Sequence, residues 1–167
     1  PVNHTVFKEL NGTTTWTDAS NNVLPAYQFI VHVADNSEDP LVLFEEYDTS
    51  LFDFYQDPSW NKVYGQSNAE WPQNTYYSEL ELTDTANGKK LTSSGLAKTD
   101  RDEFFKYYTI IYYLRVKNAD ALKELQKQAI LNGGKYTFTN TVRYLDKIDS
   151  VDTDYEVQGL SKTGHFK

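Results

Sequence analysis

Residues 135–144, KYTFTNTVRY, can be laid down regularly in one way. Tyr136, Phe138, Asn140 and Val142 alternate with Thr137, Thr139, Thr141 and Arg143. That period of two is the mark of a strand with one face toward a core. The first face is apolar except for Asn140. An amide turned into a core costs about 1–3 kcal/mol if it finds no partner, so Asn140 requires one.

The same alternation recurs along the chain. Residues 4–10 read as a first strand with Val6, Lys8 and Leu10 on one face, closed by an Asn11-Gly12 turn. Residues 26–34 read as a strand with Tyr27, Phe29, Val31 and Val33 sharing a face, and residues 41–48 as another with Val42, Phe44, Glu46 and Asp48 aligned. Residues 49–75 are irregular, apart from a short strand near 61–64. Tyr76 to Thr83 alternates again, and residues 84–103 form a polar loop or a hairpin about Asn87-Gly88. Phe104 to Val116 is the longest β-prone run and is expected to be the most central strand. The period then changes. Asn118 can cap a helix whose stripe is Ala121, Leu122, Leu125, Ala129 and Ile130, and Asn132-Gly133-Gly134 can end it. An exit strand is expected over 151–157. The predicted fold is therefore all-β: an immunoglobulin-like sandwich with one short helix inserted before the last core strand. Residues 1–158 form that domain and 159–167 a linker or the start of a following module.

Three polar side chains fall on apolar faces: Lys8 between Val6 and Leu10, Asp48 in line with Val42 and Phe44, and Asn140 between Phe138 and Val142. Singly, each has an ordinary reading: a snorkelling edge lysine, an Asx turn before Thr49-Ser50, an amide at a strand irregularity. Together they make a reaction possible. A desolvated lysine loses its proton more readily and can attack a carboxamide carbon, expelling ammonia and leaving an amide cross-link. A buried neutral acid can polarise the carboxamide and carry protons. Asp48 is the expected acid, with Glu46 as a same-face substitute. The reaction would occur once per molecule, so the chain is not expected to be a turnover enzyme.

The order FKEL, AYQFIVHV, EEYDTSL, NKVYG, YYTIIYYLRVKN, YTFTNTV resembles the isopeptide-forming domains of Gram-positive surface adhesins and pilins, of the collagen-adhesin type. The resemblance covers about residues 4–145. It implies a lysine on the first strand, an acid in a D-T-L-like segment and an asparagine in an N-T-A-like last strand, which fall here on Lys8, Asp48 and Asn140. TNTV replaces the small-residue version, two glutamates precede Asp48, and the helix is longer than such a domain needs. The tail SKTGHFK is similar to the first strand of a following domain, with Lys162 in the lysine position. The resemblance thus implies a cell-surface module whose partners are neighbouring domains and a host protein or glycan.

Composition limits the alternatives. The 167 residues carry a net charge of −8 and are 15% aromatic, with no Cys and no Met. Such acidity disfavours nucleic acid and anionic membrane surfaces, and no apolar run is long enough to span a bilayer. Disulfides and thiolate chemistry are excluded. The missing initiator Met suggests an excised piece of a longer protein. His4, His32 and His165 are too scattered for a shared metal, and Asp35 to Asp39 reads as a solvated turn instead of a calcium loop; no cofactor is expected. A second reading is a carbohydrate-binding module built on the aromatic set from Trp60 to Tyr77, with Trp16 and Tyr55. A third, a glycoside-acting enzyme using Glu45, Glu46 and Asp48, lacks a second carboxylate at a defensible separation.

Overall fold

A computed structural model of the chain describes residues 3–36, 41–56, 62–66, 75–93 and 106–157. Two antiparallel sheets face each other. The first has the order β1 (His4–Thr17), β2 (Val23–Asp35), β9 (Lys106–Val116), β5 (Lys62–Gln66) and β6 (Thr75–Glu79), with β4 (Phe52–Tyr55) pairing beside β5 on β9. The second has the order β11 (Lys147–Glu156), β10 (Lys135–Tyr144), β3 (Leu41–Glu46), β8 (Gly88–Ser93) and β7 (Glu81–Thr85). A helix, α1 (Ala119–Leu131), carries the chain from β9 in the first sheet to β10 in the second. Among the described residues the fold is the predicted all-β sandwich, with one helix before the strand that carries Asn140.

The core is what the alternation dictates. Phe29, Val31 and Val33 of β2, Tyr108, Ile110, Tyr112 and Leu114 of β9, and Leu41, Leu43 and Leu91 of the other sheet are all at or below 1% exposure. Phe138 packs between Tyr27 and Phe52, with ring centroids 5.0 and 4.5 Å away. The helix begins as expected, Asn118 Oδ1 accepting from Ala121 N–H at 2.8 Å. Ala121, Leu125 and Ala129 are buried, while Ile130 is half exposed. Gly133 (φ 78°) and Gly134 (φ 108°) then reverse the chain into β10, conformations that a side chain would strain.

Several expectations need correction. Asn11-Gly12 does not end the first strand: β1 runs on to Thr17, and the pair lies where the β1–β2 register slips between Leu10 and Thr13, with Gly12 at φ 114°. It is a bulge, not a turn. The stretch read as one strand from Tyr76 breaks at Leu80, so that β6 joins the first sheet and β7 the second. Strand β4 was not expected at all. Asp35 is the last residue of β2, wholly buried, and accepts from the Tyr144 hydroxyl; it does not belong to a solvated turn. Residues 159–167, with Lys162 and His165, lie outside the described residues.

The largest correction concerns β3. The expected inward face was Val42, Phe44, Glu46 and Asp48. The buried residues are instead Leu41, Leu43 and Glu45, while Phe44 is 40% exposed. Sliding the alternation by one residue exchanges the two faces of a strand. Here the residues of both faces are apolar up to Phe44, so period alone did not choose between them.

Candidate cross-linking site

Lys8 lies at the middle of β1 with its amine pointing between the sheets. Its backbone pairs with Val31 of β2, and Val6 and Leu10 flank it on the same face. The Lys8 N–H, on the edge of the first sheet, donates to Asp149 Oδ2 on β11 at 2.7 Å. That bond draws the edges of the two sheets together and aims the lysine across the seam. The side chain is 0% exposed. Its amine lies 4.9 Å from the ring centroids of both Phe29 and Tyr112.

Three groups meet that amine. Glu45 Oε2, from β3, is 2.5 Å away. The Tyr112 hydroxyl, from β9, and Asn140 Oδ1, from β10, are also in direct contact with it. Tyr112 Oη is in turn 2.8 Å from Glu45 Oε2 and 3.1 Å from Asn140 Oδ1. Two of the four side chains come from each sheet, so the cluster spans the interior. Among the described residues, Glu45 Oε1 and Asn140 Nδ2 are buried without a hydrogen-bond partner.

Burial dominates the electrostatics. Desolvation pulls the Lys8 amine below its usual range, opposed by the attraction of Glu45. The same burial pushes the Glu45 carboxyl up, opposed by Lys8 and by the Tyr112 hydrogen bond. Tyr112 is held well above the usual phenol range, first by burial and then by Glu45 beside it. Each shift favours the uncharged form. The pair Lys8–Glu45 is thus biased toward a neutral amine beside a neutral acid, the two forms that amide exchange needs.

The structure brings two of the sequence-selected residues, Lys8 and Asn140, into contact and leaves the third outside. Asp48 is exposed; its Oδ1 accepts from Ser50 N–H at 2.9 Å and from the Ser50 hydroxyl at 2.5 Å. It is the Asx turn that ends β3. Glu46 points away from the cluster and pairs with Arg143 on the sheet surface. The carboxyl that reaches Lys8 is Glu45. A one-residue slip in β3 hid it. Tyr112 was also missed, although the sequence carried a signal: Thr109 and Arg115 mark one face of β9 as outward and so leave Tyr108, Ile110, Tyr112 and Leu114 inward.

The aromatic set of the carbohydrate-binding reading is partly outside the described residues, Trp60 and Trp71 included. Trp16 donates its indole N–H to Val116 O at 3.0 Å. The Arg115 guanidinium lies 3.8 Å from the Trp16 ring and 3.9 Å from that of Tyr55, on the opposite face of β9 from Tyr112. These two rings are occupied in packing that arginine. His4 contacts Asp146, and His32 lies 3.2 Å from Glu9; the two are not brought together.

Fold and site together define a two-sheet antiparallel sandwich closed by a buried lysine, acid, tyrosine and asparagine. No family model matches the sequence, and no curated protein matches it. Among solved structures the chain is similar to the pilus backbone protein RrgB of Streptococcus pneumoniae, with a TM-score of 0.48 and 15% identity over 85% of this chain and 52% of that one. Against the full-length RrgB pilus protein the TM-score is 0.46, at 15% identity over 89% of this chain and 23% of that one. A third similar structure is the KRT10-binding region domain of the pneumococcal serine-rich repeat protein PsrP, with a TM-score of 0.30 and 11% identity over 87% of this chain and 89% of that one. The chain thus spans about half of the first and about a quarter of the second.

Proposed function

We propose that this domain is a structural or adhesive module of a bacterial surface protein, stiffened by a self-formed isopeptide bond between Lys8 Nζ and Asn140 Cγ. Glu45, in place of the sequence-selected Asp48 or Glu46, is the assisting acid. The observation that carries the reading is the contact of the Lys8 amine with the Asn140 amide inside an apolar enclosure, with a carboxyl 2.5 Å from that amine. Held together in this way, amine and amide escape much of the entropic barrier to reaction, an effect worth roughly 7–11 kcal/mol in favourable cases. The amine attacks the amide carbon, the carbon–nitrogen bond to Nδ2 breaks, and one ammonia leaves. Lys8 and Asn140 are consumed in forming the bond, so the reaction is a single turnover. The partners of the module are its neighbouring domains and a host protein or glycan.

A second reading has its own observation. The three contacts of Lys8 Nζ are all oxygens, and an ammonium has three protons to donate. On that reading the site is a buried ion pair that fastens the two sheets and never reacts. Intact-protein mass separates the two. The cross-link makes the chain lighter than its sequence by one ammonia, and Lys8→Ala or Asn140→Ala abolishes the deficit. A mature wild-type protein at full sequence mass leaves the ion pair standing and ends the cross-link.

A further inference from the structure

The carboxyl that serves Lys8 does not meet the amide that Lys8 attacks. Glu45 Oε2 has contacts with the lysine amine and with Tyr112 Oη at 2.8 Å. Asn140 Oδ1 has contacts with the same amine and with Tyr112 Oη at 3.1 Å. The tyrosine hydroxyl therefore stands between acid and amide and completes a chain from Glu45 to Asn140. Its ring is fixed by stacking on Phe29 and Phe54, with centroids 5.7 and 4.3 Å away. A phenol has one proton and can accept as it donates, which is what a relay requires.

We infer that Tyr112 is a catalytic residue of the cross-linking step, carrying the proton between Glu45 and Asn140 Oδ1. The inference rests on the Lys8–Asn140 reading. As the neutral amine adds to Cγ, the carbonyl π pair moves onto Oδ1. Oδ1 takes the Tyr112 proton, and Tyr112 takes one from the Glu45 acid. The Nζ, now carrying an extra proton, returns it to the Glu45 carboxylate. The intermediate is then neutral, with a hydroxyl, an amino group and the lysine nitrogen on one carbon. Collapse needs a proton on Nδ2. The hydroxyl proton returns through Tyr112 to Glu45 Oε2, while Glu45 Oε1, which has no partner in the resting site, gives its carboxyl's proton to the equally unpartnered Nδ2. The bond to Nδ2 breaks, and ammonia departs. Amine and carboxamide become secondary amide and ammonia, with nothing oxidised or reduced. Burial holds the phenol well above its usual range, so at neutral pH the proton is present to be given.

The test uses full-length chain made by cell-free translation, trapped in denaturant before it can fold, and diluted to refold while mass is followed with time. Tyr112→Phe keeps the ring between Phe29 and Phe54 and is expected to lose ammonia about a hundredfold more slowly than wild type, as removal of a positioned proton donor does elsewhere. The same translation system places 3-fluorotyrosine at position 112, which keeps the hydroxyl but makes it more acidic. A relay changes its rate by more than about twofold, because transfer follows acidity; a hydroxyl that only packs does not. Tyr112→Phe within about threefold of wild type overturns the inference, and so does an unchanged rate with the fluorinated residue. A wild-type chain that never loses ammonia is a different failure: it removes the cross-link itself, and the role of Tyr112 with it.

Discussion

At the scale of single residues, the site turns on which of two neighbouring glutamates faces inward. Glu45 is 1% exposed and Glu46 is at the surface with Arg143. Glu45→Gln should therefore slow ammonia loss by at least about a hundredfold, the range for a lost general acid–base group. Asp48→Asn should leave the rate unchanged. If the aspartate variant is the slow one, the acid is misassigned. The pH profile has a definite shape. Neutral amine with neutral acid holds the same number of protons as the ion pair, so the two forms exchange without reference to pH. Below the lower of the pair's two titrations an added proton ties up the amine's lone pair; above the upper one the acid has nothing to give. The rate should be flat between them and fall on both sides. Burial raises the glutamate and lowers the lysine, so the plateau is narrower than the span between an ordinary carboxyl and an ordinary amine. Refolding across a series of buffers, with mass as the readout, measures it; a rate that climbs without limit toward high pH contradicts the shared proton.

At the scale of elements, what the sequence revealed depended on whether a strand is apolar on one side or on both. Residues 135–144 became β10 to the residue, because Thr137, Thr139 and Thr141 mark the outward face. In 41–46, LVLFEE, the two faces begin with Leu41 and Leu43 on one side and Val42 and Phe44 on the other, and the pattern is silent. Tyr112 is a different case: Thr109 and Arg115 do mark the outward face of β9, but the paired aromatics put an identical residue, Tyr113, on that face beside it. Strand β4 has four residues and draws its pairing from β9, a tertiary partner that local propensity cannot see. The hairpin about Asn87-Gly88 was legible, but its reach into the site was not. A Cβ on Gly88 would stand 2.0 Å from the Glu45 carbonyl oxygen and 3.1 Å from the Tyr47 ring. Only a glycine lets β8 lie this close behind the residue that carries the acid. Gly88→Ala should cost about 1–3 kcal/mol, as overpacking a closed site does, and lower the melting temperature. By pushing β3 it should also slow cross-linking, whereas an equally destabilising change far from β3 should not. Thermal melts and refolding mass kinetics on the two variants separate strain at Glu45 from general loss of stability.

At the scale of the whole molecule, the position of the proposed bond would matter more than its strength. Lys8 and Asn140 are 132 positions apart and belong to opposite sheets. By analogy with disulfides, closing such a loop stabilises the folded state by about 5 kcal/mol through the unfolded chain. The larger consequence is mechanical. A force applied at the ends reaches β1 and β11 first and, once β11 has peeled away, β10; a covalent link between Lys8 and Asn140 would carry it past β2 to β9 and the helix, leaving them unloaded. The 7 residues before Lys8 and the 27 after Asn140 remain free to extend. At about 3.4 Å per residue they lengthen to roughly 110–120 Å, against roughly 550–600 Å for the whole unlinked chain. Single-molecule stretching of wild type should therefore stop at the short length at forces that break no covalent bond. Lys8→Ala, which has no amine to donate, should run to the long one. Because β11 lies after Asn140, it should still peel away in the linked molecule, giving one small extension step and no large one. A wild-type trace that extends to the full contour length would mean that the two sheets are held by the ion pair alone.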